Sequence, residues 1–101
     1  MELSKQCKEK IDNLCKESAY RFLFCNVGEQ NFPNKEEIET MLSNDNLYNE
    51  KTKKELIVWE PFEDYDGENL LDILDTAEYA YRETIMQALE IIEEEKKENK
   101  K

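Results

Sequence analysis

GENLLDILDTAEYAYRETIMQALEIIEEE, residues 67–95, decides the fold. Apolar and small side chains recur at Leu70, Leu74, Ala77, Tyr81, Ile85, Ala88 and Ile92, in steps of three and four residues. That spacing keeps them on one side of an α-helix, and Leu71, Ile73, Leu89 and Ile91 widen the stripe. Asp66 stands where an N-cap belongs, with Gly67 and Glu68 opening the helix. Nothing breaks the pattern before Glu95. About 28 helical residues would run some 42 Å at ~1.5 Å per residue.

Punctuation upstream is sparse. Gly28 and Pro33 bracket one turn region, Pro61 and Gly67 another, dividing the chain into 1–27, 34–60 and 68–101. In the first segment Leu3, Cys7, Ile11, Leu14, Ser18, Phe22 and Cys25 form a helical stripe, with Cys7 and Cys25 read as small buried hydrophobes. Tyr20 and Phe24 fall outside it, so the end of this helix is either sandwiched inside the fold or offered to another chain. The second segment opens with a capping box, Asn34 with Glu37, before Ile38, Met41 and Leu42. Residues 47–60 fit a strand or a helix, and helix is preferred. The expected fold is all-α, a small bundle of three or four helices whose long C-terminal helix is acidic. Residues 1–95 form one domain and 96–101 a charged, frayed tail.

Composition excludes much chemistry. Of 101 residues none is histidine, the usual base near neutral pH and the commonest metal ligand. Cys7, Cys15 and Cys25 stand eight and ten residues apart, without a C-x-x-C pair. Two glycines make no phosphate loop. Asp64-Tyr65-Asp66-Gly67 hints at a calcium loop, but with Gly67 in sixth place the first and last ligands fall on Phe62 and Ile73, which offer no side-chain oxygen. No catalytic residue, metal or cofactor is expected, and no enzyme. The longest apolar runs, 22–25 and 56–59, are far short of the roughly 20 residues that span a bilayer. Residues 1–10 lack an apolar stretch, so the expected setting is cytoplasmic, with reduced thiols and no membrane contact.

Charge is the positive signal. The net charge is −11, yet residues 60–95 hold thirteen acids against Arg82 alone, a local net of −12. At ~100° per residue Glu68, Asp72, Asp75, Glu83, Glu90, Glu93 and Glu94 lie opposite the stripe. Glu60, Glu63, Asp64 and Asp66 extend the field past the helix start, and Tyr79 and Met86 sit mid-arc. Most acidic arcs are simply solvated. Here lysine is missing at the i+4 positions that would relieve repulsion, and two large apolar groups interrupt the acids. Duplex DNA carries a phosphate every ~3.4 Å per strand, so a rigid row of carboxylates presents a related field.

In size, acidity and helical character the chain resembles the nucleic-acid-mimic proteins of phages and plasmids, including antirestriction and anti-CRISPR inhibitors. The resemblance is one of character over the chain, with no shared motif. It implies an inhibitor that occupies the basic nucleic-acid-binding groove of a partner protein and does not itself bind nucleic acid. A reading from another class makes the chain a helical interaction module, which self-associates as a homodimer or docks through an apolar face at Tyr20 and Phe24.

Overall fold

The computed structural model describes residues 2–98. Three helices carry the fold: α1 (Lys5–Leu23), α2 (Lys35–Ser43) and α3 (Gly67–Glu98). Between α2 and α3 lie two short strands, β1 (Tyr48–Asn49) and β2 (Lys54–Glu55), and a single 3₁₀ turn, Glu60–Phe62. The molecule is elongated, 60 × 25 × 19 Å, because α3 runs most of its length.

Each helix starts where a side chain can satisfy its orphan amides. Ser4 Oγ accepts from Cys7 N at 3.1 Å. Asn34 Oδ1 accepts from Glu37 N at 2.9 Å while Glu37 accepts from Asn34 N, a complete capping box. Asp66 Oδ1 accepts from Asn69 N at 2.9 Å. α3 is longer than the sequence suggests, continuing through Lys96 and Lys97, cations that suit the negative end of the helix dipole. Of the tail expected over 96–101, residues 96–98 are helical and 99–101 lie outside the described residues.

α1 packs along α3 in the opposite direction: Arg82 of α3 donates to Asp12 of α1 at 2.6 Å, while Ala19 and Leu23 meet Leu70, Leu74 and Ala77 further down. The stripe expected on α1 is displaced. Cys15, Ala19 and Leu23 are buried, whereas Leu14, Phe22 and Cys25 are exposed. Helices approach closest over small residues, so Cys15 and Ala19 take the seam and larger neighbours straddle its edge. Phe24, outside the stripe, is buried at 1 % exposure. The end of α1 is therefore sandwiched inside the fold, and Phe24 offers no surface to another chain.

Residues 47–60 form a short hairpin and an extended run in place of the preferred helix, and leave the fold mostly helical. β1 and β2 pair antiparallel, Tyr48 opposite Glu55 and Asn49 opposite Lys54. Asparagine side chains divert the backbone here: Asn46 Oδ1 accepts from Tyr48 N, and Asn49 Oδ1 from Lys51 N and Thr52 N. Lys53, at φ 61°, closes the turn. Beyond β2 the chain stays extended because residues 23–25 supply its partners. Trp59 N donates to Leu23 O and Cys25 N to Ile57 O, both at 2.9 Å, around a bridge between Phe24 and Val58.

Asn26 fastens that crossing. Buried at 1 % exposure, it donates from Nδ2 to Glu55 O at 3.0 Å and accepts at Oδ1 from Ile57 N at 3.1 Å, continuing along the same edge the pairing of residues 23–25 with the extended run. At the other end Gly67 lies against the last turn of α2. A Cβ there would stand 2.0 Å from Leu42 O, and Gly67 N donates to Asp45 Oδ1 at 2.8 Å. The core is thus one cluster of Leu23, Phe24, Ile38, Leu42, Leu56, Leu70 and neighbours, under the N-terminal half of α3.

Candidate interaction site

α3 lays the expected acids along one side. Glu68, Asp72, Asp75, Glu83 and Glu90 are all exposed, within an arc about 80° wide by the ~100° step of the helix. Glu68 to Glu90 spans about 33 Å at the helix rise. Tyr79, in the middle, is 65 % exposed, and Met86 is 42 % exposed. At that exposure Tyr79 is not packed into a contact with another helix. Met86 instead borders a small cleft with Leu3, Leu89, Glu90 and Glu93, at the edge where the start of the chain meets α3.

The four upstream acids gather at the N-terminal end of α3. Glu60 opens the 3₁₀ turn, Glu63 and Asp64 follow it, and all three are exposed. Asp66 is committed locally, since its carboxylate caps α3. Phe62 and Tyr65 stack edge-on with centroids 6.0 Å apart, and Phe62 also meets Phe22 at 5.3 Å, so an aromatic row stiffens this acidic turn.

Among the described residues, ion pairs go elsewhere. Arg21 pairs with Glu17, Lys54 with Glu37, and Arg82 with both Asp12 and Glu78. Hydrogen bonding to Asp12 raises the Arg82 pKa further, so that charge is fixed in the α1–α3 seam. Glu68, Asp72, Asp75, Glu83 and Glu90 make no ion pair among the described residues.

Compensation that a linear reading misses comes from other elements. A groove of ≈ 430 Å³ between α1, α2 and α3 is lined by Glu68, Asp72, Asp75 and Glu78 together with Lys16, Lys35 and Glu39. Lys16 and Lys35 come close across it, and the nearness of the Lys35 ammonium, with some burial, pulls the Lys16 pKa below its ordinary value. The lower acids therefore share their field with two lysines, while Glu83 and Glu90 lie beyond the groove. Only a fold that seats α1 and α2 beside α3 brings those lysines in; no local spacing signals it.

Tyr20, the other half of the apolar face expected on α1, is half-buried against Phe32 at 6.1 Å. Burial pushes its phenol pKa up to about 12, with Glu39 and Glu78 adding to the shift. Phe24 thus belongs to the interior, while Tyr20 also lines the groove between α1, α2 and α3. More exposed apolar surface lies on α3 beside the acidic arc, where Phe22, Ile73, Ala77, Ala80 and Tyr81 line an open groove together with Thr76 and with Asp72 of the arc.

Among the described residues no group of three or more cysteines and acids is placed to hold a metal ion, and no helix is long and apolar enough to cross a membrane. No family model, curated protein or solved structure matches the chain.

Proposed function

We infer that the chain is a small acidic inhibitor, of the kind mobile elements use against nucleic-acid-handling defences, which enters the basic nucleic-acid-binding groove of a partner protein as a nucleic-acid mimic. The observation that carries this reading is the arrangement on α3: five exposed carboxylates without ion pairs lie along one arc with Tyr79, itself 65 % exposed, among them. Their mutual repulsion costs stability, relieved only in part by Lys16 and Lys35 beside the lower three, and a partner's lysines and arginines would relieve it further. The field steers a basic partner, and the desolvated anchors Tyr79 and Met86 fix the register. Glu60, Glu63 and Asp64 lengthen the contact at the helix start. In this reading the chain works by occupying a site, without catalysis, metal or cofactor, and leaves nucleic acid itself unbound.

The test is competition. A basic protein captured on the immobilised chain should release as salt rises, because exposed charges beyond about 8–10 Å are screened at physiological ionic strength. The same protein should lose its nucleic-acid binding when the chain is added. A variant reversing Asp72, Asp75, Glu83 and Glu90 to lysine should do neither while keeping its helicity. Full inhibition by that variant would reject the proposal.

A further inference from the structure

Residues 59–66, Trp-Glu-Pro-Phe-Glu-Asp-Tyr-Asp, hold four acids and three aromatics without a base. The fold keeps most of this mixture at the surface. Trp59 is 47 % exposed and Tyr65 48 %, and Phe22 of α1, 45 % exposed, joins the row through its contact with Phe62. The rings are also held in place. Trp59 Nε1 donates to Arg21 O at 3.0 Å, next to Phe22, while Trp59 N donates to Leu23 O. Phe62 N donates to Trp59 O at 2.9 Å and Tyr65 N to Phe62 O at 3.2 Å. Half-exposed rings fixed in this way lose little freedom when a partner covers them.

Charge at the same spot selects the occupant. Exposed aromatics can stack nucleic-acid bases, but the carboxylates beside these rings repel the phosphates that would come with them. Glu60, Glu63 and Asp64 are exposed and make no ion pair among the described residues. Arg21, whose carbonyl holds Trp59, turns its own guanidinium to Glu17 at 2.7 Å. The cation that satisfies ring faces and carboxylates together is a guanidinium, which is planar, weakly hydrated and rich in N–H donors. We propose that this patch receives arginine side chains of a protein partner, stacked on the exposed rings of Phe22, Trp59 and Tyr65 while Glu60, Glu63 and Asp64 accept their N–H groups. The proposal rests on the mimicry reading for the basic character of that partner. It adds a second anchor at the start of α3, about 18 Å along the helix from Tyr79.

Trp59 is the one tryptophan of the chain, so its emission reports on this patch alone. The probes are hexa-arginine, hexa-lysine and hexa-citrulline peptides with identical ends, titrated by calorimetry near 0.15 M salt while Trp59 emission is followed. Hexa-arginine should bind about fivefold more tightly than hexa-lysine and change the emission, and the uncharged citrulline peptide should not bind. Tyr65→Ser, at an exposed ring, should cut the arginine preference to about half with an unchanged circular dichroism spectrum. Glu60→Gln, Glu63→Gln and Asp64→Asn together should weaken both cationic peptides. The variant reversing Asp72, Asp75, Glu83 and Glu90 to lysine should keep the arginine-to-lysine ratio, so failure of the arc and failure of this patch are read separately. Equal affinity for the two cationic peptides, Trp59 emission unchanged at saturation, or an undiminished arginine preference in Tyr65→Ser would overturn the proposal.

Discussion

Asn26, Gly67 and Tyr20 show how single side chains hold positions that no local pattern announces. Asn26 bonds to the backbone of Glu55 and Ile57, some thirty residues away in sequence, so its role exists only once the fold has formed. Replacing it with alanine strands a part-buried carbonyl and amide, at a cost of about 1–3 kcal/mol. A denaturant titration of Asn26→Ala should show a lower midpoint with an unchanged slope. Gly67 reads in sequence as punctuation; in the fold it is the point where α3 meets the backbone of Leu42. Gly67→Ala should cost about 1–3 kcal/mol despite alanine's better helix propensity, because backbone must shift to admit the methyl group. Tyr20 offers a pH test. Its folded pKa of about 12 stands above the ordinary 10.0, so its contribution to stability is complete below pH 10 and lost as pH rises through 12. An ultraviolet titration of the folded chain should show one of the five tyrosines ionising late, and Tyr20→Phe should abolish that lag.

At the level of elements, what the sequence discloses follows the range of the interactions involved. The caps at Asn34 and Asp66 and the long period of α3 were legible because a cap reaches only three residues and a helix repeats every turn. The stripe on α1 was misplaced by one residue at Cys15, Ala19 and Leu23, since apolarity alone does not say which neighbour a crossing helix covers. The preference for helix over strand in residues 47–60 fails because Leu56–Trp59 is extended by pairing with residues 23–25, a partner invisible to local reading. Its asparagine turns were the available signal: Asn46 and Asn49 both bond backbone amides two residues on. On α3, Tyr79→Ala should leave thermal stability nearly unchanged, because a side chain 65 % exposed has little packing to lose. If it anchors a partner, the same substitution should weaken binding at least tenfold, about 1.4 kcal/mol. Substantial loss of stability would contradict the exposed placement.

The whole molecule is a spine with two unlike sides. α3 shows carboxylates along one arc and an apolar groove beside it, while α2 and the hairpin cluster round its first half and α1 runs on along it past Arg82. The candidate acids were legible in sequence as an arc, since helical period alone fixes it. Their partial compensation by Lys16 and Lys35 was not, because those lysines arrive on α1 and α2. The structure thereby grades the site: Glu83 and Glu90, beyond the groove, should carry more of the binding than Asp72 or Asp75. The central claim, that this arc competes for a nucleic-acid groove, meets its most direct test in a fluorescence anisotropy competition. Labelled nucleic acid bound to the captured partner is titrated with the native chain and with the variant carrying lysine at Asp72, Asp75, Glu83 and Glu90. The account predicts displacement by the native chain and at least a tenfold loss with the variant, at matched helicity. Equal displacement by both would contradict it.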